Sequence, residues 1–139
     1  PVPYANHVLH IVQASLEMLA FIEEYNQNRM AKGLEVWDIR IGIHVGPLVA
    51  GVVGMKKYAY DIWGSTVNIA SRMESNGFPG KVNVSQAVYE IVKNDYACEH
   101  RGKIHAKNVG EIDMYYVTKE INPKTATPCD ADIMQRSLN

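Results

Sequence analysis

The sequence predicts an α+β fold with a mainly antiparallel sheet and helices packed on it. Two observations carry that expectation. Apolar residues recur at helical spacing in some segments and alternate strictly in others, with the two kinds mixed along the chain. A run of alternating residues also meets a second apolar run across Gly46-Pro47, a turn too short for a parallel crossover.

Asn6 is placed as the N-cap of a first helix, in which Val8, Ile11, Val12, Leu16, Leu19 and Ile22 recur at helical spacing. The pattern runs to Tyr25 or on to Lys32, with Gly33 as the stop. Asp38 to Val45 alternates, with Ile39, Ile41, Ile43 and Val45 on one face, as in a half-buried strand. Leu48 to Val53 is expected to be its hairpin partner. Ser65 is read as the cap of a second helix with a core stripe of Val67, Ala70 and Met73. The turn residues Asn76 to Gly80 end it. Lys81 to Val84 reads as a short strand. Ser85 is then the cap of a third helix with Val88, Ile91 and Val92 inward. Tyr96 to Ile104 and Ile112 to Val117 complete the strands. The domain is expected to span 1–121, with 122–139, carrying two prolines and no periodicity, as a tail or linker.

The 139 residues suffice for one domain with its own core. With 47% hydrophobic and 21% charged residues the chain has the profile of a soluble globular domain. A net charge of −1 gives no support to a broad nucleic-acid or anionic-membrane surface, so any anion chemistry must be local. Two cysteines, Cys98 and Cys129, make no disulfide framework and point to a reducing compartment. Val8 to Ile22 is interrupted by His10, Gln13, Ser15 and Glu17, which excludes a span of about 20 apolar residues. A start at Pro-Val-Pro reads as a piece of something longer, so tethering by another part stays open.

Most chemical motifs fail on inspection. Gly46-x-x-x-x-Gly51 is followed by Val-Val rather than Lys-Ser/Thr, so no P-loop is present, and these glycines read as turn and close-packing positions. His7 with His10, and Cys98 with His100, supply no set of four metal ligands. The sequon Asn83-Val-Ser85 is a chance match. Two features remain. Asn68 and Arg72, four apart on a helix, share a face suited either to solvent or to a sugar hydroxyl and a phosphoryl oxygen. Arg101, Lys103, His105 and Lys107 would form one basic row, either a lysine-protected sheet edge or a polyphosphate contact.

Arg40-Ile-Gly-Ile-His-Val-Gly-Pro-Leu-Val-Ala-Gly-Val-Val-Gly54, followed by Tyr60-Asp-Ile-Trp-Gly-Ser-Thr-Val-Asn-Ile-Ala-Ser-Arg-Met-Glu74, closely resembles the class III nucleotidyl cyclase catalytic domain. The likeness continues through Gly80-Lys-Val-Asn-Val-Ser85 and Arg101-Gly-Lys-Ile-His-Ala-Lys107 to Tyr116. It covers about the C-terminal two thirds of such a domain and implies its ferredoxin-like, palm-type fold. The implied reaction is cyclisation of a nucleoside triphosphate to the 3′,5′-cyclic monophosphate with release of pyrophosphate, served by two Mg²⁺ or Mn²⁺ ions.

By the same resemblance Asn68 orients the ribose and Arg72 stabilises charge on the α-phosphoryl oxygens. Lys107 holds the terminal phosphates. Asp61 reads the purine, where an aspartate goes with adenine and a cysteine with guanine. The backbone of Ile62 also meets the adenine edge. The family's metal-binding aspartates, and the lysine that partners Asp61, precede the matching region, so no residue is assigned as a metal ligand. The chain alone is therefore expected to be catalytically incomplete. The resemblance further implies ATP as partner and a head-to-tail homodimer or a heterodimer with a second cyclase domain. It implies a cytoplasmic location, free or as the cytosolic domain of a membrane-attached protein. A guanylyl cyclase and a metal-free regulatory partner half are the alternatives.

Overall fold

A computed structural model of the chain describes residues 6–55, 57–106 and 109–121. The tail expected over 122–139, Cys129 and Lys107 lie outside the described residues. Among the described residues nine elements follow one another: α1 (His7–Ala31), β1 (Ile41–Ile43), β2 (Val49–Val53), β3 (Ala59–Trp63), α2 (Ser65–Ser75), β4 (Val82–Ser85), α3 (Gln86–Val92), β5 (Tyr96–Ala106) and β6 (Gly110–Glu120). The main sheet has the order β1-β4-β6-β5, and β2 with β3 forms a separate two-stranded sheet. The β4–β6 and β5–β6 pairs are antiparallel, while β1 lies parallel to β4. The expected α+β class holds, with a mixed sheet.

Helix α1 starts at the expected place, although the Asn6 side chain makes no cap bond and only its carbonyl accepts from His10 N–H. It runs to Ala31 because nothing breaks it earlier. It ends in a Schellman turn: Gly33 sits at φ 67, its N–H bonds the Met30 carbonyl, and Leu34 N–H bonds that of Arg29. Its buried residues are Val8, Val12 and Ser15, with Leu16 and Leu19 beside them. Ile11, expected in the core stripe, is 53% exposed instead. Asn26 then clasps the returning chain, its Nδ2 donating to Trp37 O at 2.8 Å and its Oδ1 accepting from Trp37 N–H at 2.9 Å.

Strand β1 is shorter than the alternation over 38–45 suggested, because only Ile41–Ile43 pair with β4. The expected hairpin of β1 with 48–53 does not form. β2 pairs instead with β3, Val49 opposite Trp63 and Val53 opposite Ala59. Gly46-Pro47 turns the chain out of the main sheet, and Gly54 at φ 120 lets it reverse into β3.

The sheet carries helices on both faces. Val82, Val84 and Val117 meet α1 and α3 in one core cluster with Val12, Val88 and Val92. Ile69 and Met73 of α2 meet Ala106, Met114, Ile104 and Ile112 in the second. The buried stripe of α2 is thus Thr66, Ile69 and Met73, one position round from the expected one, with Val67 and Ala70 half-buried. Gly64, not Ser65, occupies the N-cap position of α2, at φ 130 and without a side-chain cap bond. Ser85 does sit at the N-cap of α3 but spends its hydroxyl elsewhere, and Ile91 is exposed rather than inward. Asn83 and Ser85 are completely buried, so the folded domain has no room for a glycan on Asn83. Among the described residues no helix is long and apolar enough to cross a membrane.

Candidate active site

A groove of about 790 Å³ runs between α2 and the turn joining β5 to β6. Asn68 and Arg72 line it together, as their spacing required, with Ser65, Ser71 and Ser75 on the same helix and Ala106 and Val109 opposite. Arg72 is exposed, and its nearest partner is the His105 carbonyl, a long contact at 3.4 Å. Among the described residues no carboxylate lines the groove, so there the guanidinium gives it a positive field. The serines were not singled out from the sequence, although positions 68, 71, 72 and 75 already share one helical face.

The basic row does not form as expected. A register shift between His100 and Gly102 puts an extra residue into β5 and flips the alternation. Arg101 therefore turns towards α2, where its guanidinium lies 4.7 Å from the Tyr116 ring centroid and donates to the Asn76 carbonyl. Lys103 instead lies 3.5 Å from Glu111 and 4.0 Å from Asp113, and His100 contacts Asp113 at 2.7 Å. The solvated-face reading holds for Lys103, and Arg101 is a packing cation. In sequence Lys107 falls between two groove-lining residues, Ala106 and Val109.

Asp61 and Ile62 lie on exposed β3 and do not line this groove. Trp63 and Gly64 join them directly to α2. The Asp61 carboxylate accepts from Ile62 N–H at 2.8 Å through Oδ1, which occupies that amide. Among the described residues no group of three or more His, Cys, Asp or Glu stands together as a metal site. The groove lining offers a divalent ion no carboxylate either, so these residues do not fit a two-metal centre. Cys98 is half-buried in β5, and burial pushes its thiol up, away from the reactive thiolate.

Beneath the start of α2, His44 Nδ1 lies 2.7 Å from the Ser85 hydroxyl. Burial holds the His44 imidazole below its ordinary value of 6.5, so the folded state prefers it neutral. The unfolded chain then takes up a proton first as pH falls, and the stability due to this group, complete above 6.5, is lost progressively below it. Thermal midpoints measured from about pH 5 to 8 should fall on the acid side. His44→Asn, which keeps a polar partner for Ser85 but cannot titrate, should flatten that slope, and an unchanged profile would refute the assignment.

Residues 1–119 match the family model described as the adenylate and guanylate cyclase catalytic domain. The chain is 37% identical over 114 residues to adenylate cyclase type 9 of Xenopus laevis, covering 81% of this chain and 8% of that protein. It is equally 37% identical over 123 residues to the human guanylate cyclase soluble subunit beta-2, covering 88% of this chain and 19% of the relative. The guanylate cyclase domain of RhGC from Catenaria anguillulae, solved in complex with GTP, superposes with a TM-score of 0.75 at 31% identity. That match covers 86% of this chain and 64% of the solved one. The chain thus spans only a small part of the curated relatives' length and under two thirds of the solved domain. By the match over residues 1–119 and the shared fold, the chain belongs to the adenylate and guanylate cyclase catalytic domain family.

Proposed function

We propose that the chain is the nucleotide-holding part of an adenylyl cyclase, converting ATP to 3′,5′-cyclic AMP and pyrophosphate. The observation that carries this reading is the pairing of Asn68 and Arg72 in a groove whose described lining holds no carboxylate. The ribose 3′-oxygen bonds to the α-phosphorus, the bond from that phosphorus to the bridging oxygen breaks, and pyrophosphate leaves with the electron pair. The hydroxyl proton passes to solvent or a base. Asn68 holds the ribose by its amide, and Arg72 meets the growing charge on the α-phosphoryl oxygens with forked donors. Lys107 takes the terminal phosphates. The free oxygen of Asp61 accepts from the adenine amine, with the Ile62 backbone beside it. The divalent ions' ligands would come from a segment other than the described residues.

The exposed apolar hairpin supports a dimer as the working unit. Val49, Val52 and Tyr60 are 66%, 65% and 72% exposed, which a second cyclase domain would cover. On this reading the catalytic domain takes 1–121, 122–139 is a tail or linker, and the location is cytoplasmic, free or as the cytosolic domain of a membrane-attached protein. The guanylyl reading has its own support, since relatives of both kinds are 37–38% identical to the chain.

Turnover of ATP and GTP with Mn²⁺ tests the reading, using this chain and the longer protein that contains it. Activity in the longer form, with ATP preferred, is the expected result. GTP preference would favour the guanylyl alternative, and silence from a folded dimer the regulatory partner half. Asp61→Cys, combined with the matching change at its lysine partner, should abolish the ATP preference. ATP use that survives both changes would remove Asp61 as the purine reader.

A further inference from the structure

We propose that Thr66 is a positioning residue that sets the nucleotide-facing side chains of α2, through its contact with Pro47 in a turn that His44 anchors to the buried Ser85. The inference rests on the cyclase reading of Asn68 and Arg72 and adds to it what holds them in place. Helix α2 begins without a side-chain cap, and its first bond, from Asn68 N–H to the Gly64 carbonyl, is a long 3.3 Å. Something outside the helix must fix its first turn.

The Thr66 hydroxyl does so. It is buried, and it donates to the Pro47 carbonyl at 2.5 Å, tying the helix to the turn that leaves β1. That turn is anchored in its own right, because His44, three residues before Pro47, meets the completely buried Ser85 hydroxyl of central strand β4. Gly46 lets the two contacts converge. A Cβ there would stand 2.7 Å from Thr66 Oγ1 and 3.6 Å from His44 Nε2. Ser85 leaves its own helix uncapped to make this contact.

Two polar contacts, joined by the backbone of residues 44–47, therefore lead from the middle of the sheet to a point two residues before Asn68 and six before Arg72. The far end of α2 is held separately, by Asn83 Nδ2 donating to the Met73 carbonyl at 2.7 Å. Losing the Thr66 hydroxyl would free only the near end, so the helix would stay packed while its exposed face shifts. Catalysis is far more sensitive than folding to such a shift, since a misplacement of about 1 Å can cost 100-fold in rate.

The test uses the full-length cyclase and compares Thr66→Val, which keeps shape but loses the donor, with Thr66→Ser, which keeps the donor. Thr66→Val should lower kcat about 30-fold with KM within about threefold, and Thr66→Ser should restore most of it. On an Arg72→Ala background Thr66→Val should add little, because it acts through the same helix face. A crippled Arg72→Ala beside a fully active Thr66→Val would overturn the positioning role alone. A fully active Arg72→Ala would overturn the nucleotide-face reading and this proposal with it. Should Thr66→Val fail to fold, His44→Leu against His44→Asn reads the other of the two contacts. The leucine variant should lose kcat and the asparagine variant, whose amide can reach Ser85, should keep it; equal activities would overturn the proposal.

Discussion

Arg72→Ala in the complete cyclase is expected to lower turnover by about 100- to 1000-fold while KM changes little. The reason lies in where charge appears. Arg72 has one long contact, to a carbonyl at 3.4 Å, and is otherwise open to the groove, so little must be broken for it to meet a phosphoryl oxygen. Its donors are worth most when charge grows on the α-phosphoryl group, that is, in the transition state rather than the ground state. Arg72→Lys should recover little, because a point charge lacks the planar fork. The folded state should scarcely notice, since exposed substitutions outside special contacts usually stay within about 0.5 kcal/mol. Steady-state kinetics with ATP and thermal denaturation of the same samples check both halves. A loss of affinity equal to the loss of kcat/KM, with turnover unchanged, would show that Arg72 only binds.

Gly42→Ala should have the largest effect on stability. Gly42 is the middle residue of β1, and a Cβ there would stand 2.0 Å from the Glu74 backbone nitrogen and 2.5 Å from Glu74 Cα and the Met73 carbonyl carbon. These are backbone atoms of α2, held by the Arg40–Glu74 ion pair at 2.8 Å and the Asn83–Met73 bond, so the helix cannot yield cheaply. Overpacking of this kind costs about 3 kcal/mol, a fall of about 10 °C in thermal midpoint for a domain of this size. Gly80→Ala is the matched comparison. It has φ 73 and nothing within 4 Å of an added Cβ, so only backbone conformation opposes it, at about 1 kcal/mol. Similar midpoints for the two variants would mean that α2 is not seated on β1 as closely as drawn.

How much of this was legible in the sequence depends on the range of the interaction. The extent of α1 followed from periodicity and a terminal glycine, because both act within a few residues. Strands β4 to β6 were placed for the same reason, although β5 and β6 run further than their apolar cores suggested. Strand β3 escaped notice because Asp61 interrupts its apolar run and every one of its residues is exposed. The β2 pairing was misread because a short turn constrains direction but not partner, and the choice lay with Gly54 and β3.

Caps failed similarly. Ser65 falls one residue past the cap position, which Gly64 holds, and Ser85 sits at the N-cap of α3 but its hydroxyl is taken by His44. The basic row depended on strict alternation through β5, and one extra residue at the bulge sent Arg101 to the other face. By contrast, Asn68 and Arg72 were paired from spacing alone, since a helix fixes neighbours four apart. The sequence by itself determined the α+β class, the shared face of Asn68 and Arg72, and the family resemblance, all carried by local periodicity or by an ordered string of residues. Only the tertiary structure decided which strand pairs with which, what holds the start of α2, and that the Asn68–Arg72 face opens onto the β5–β6 turn. Those depend on contacts between residues far apart in the chain, whose outcome is settled by burial and by which polar groups find partners.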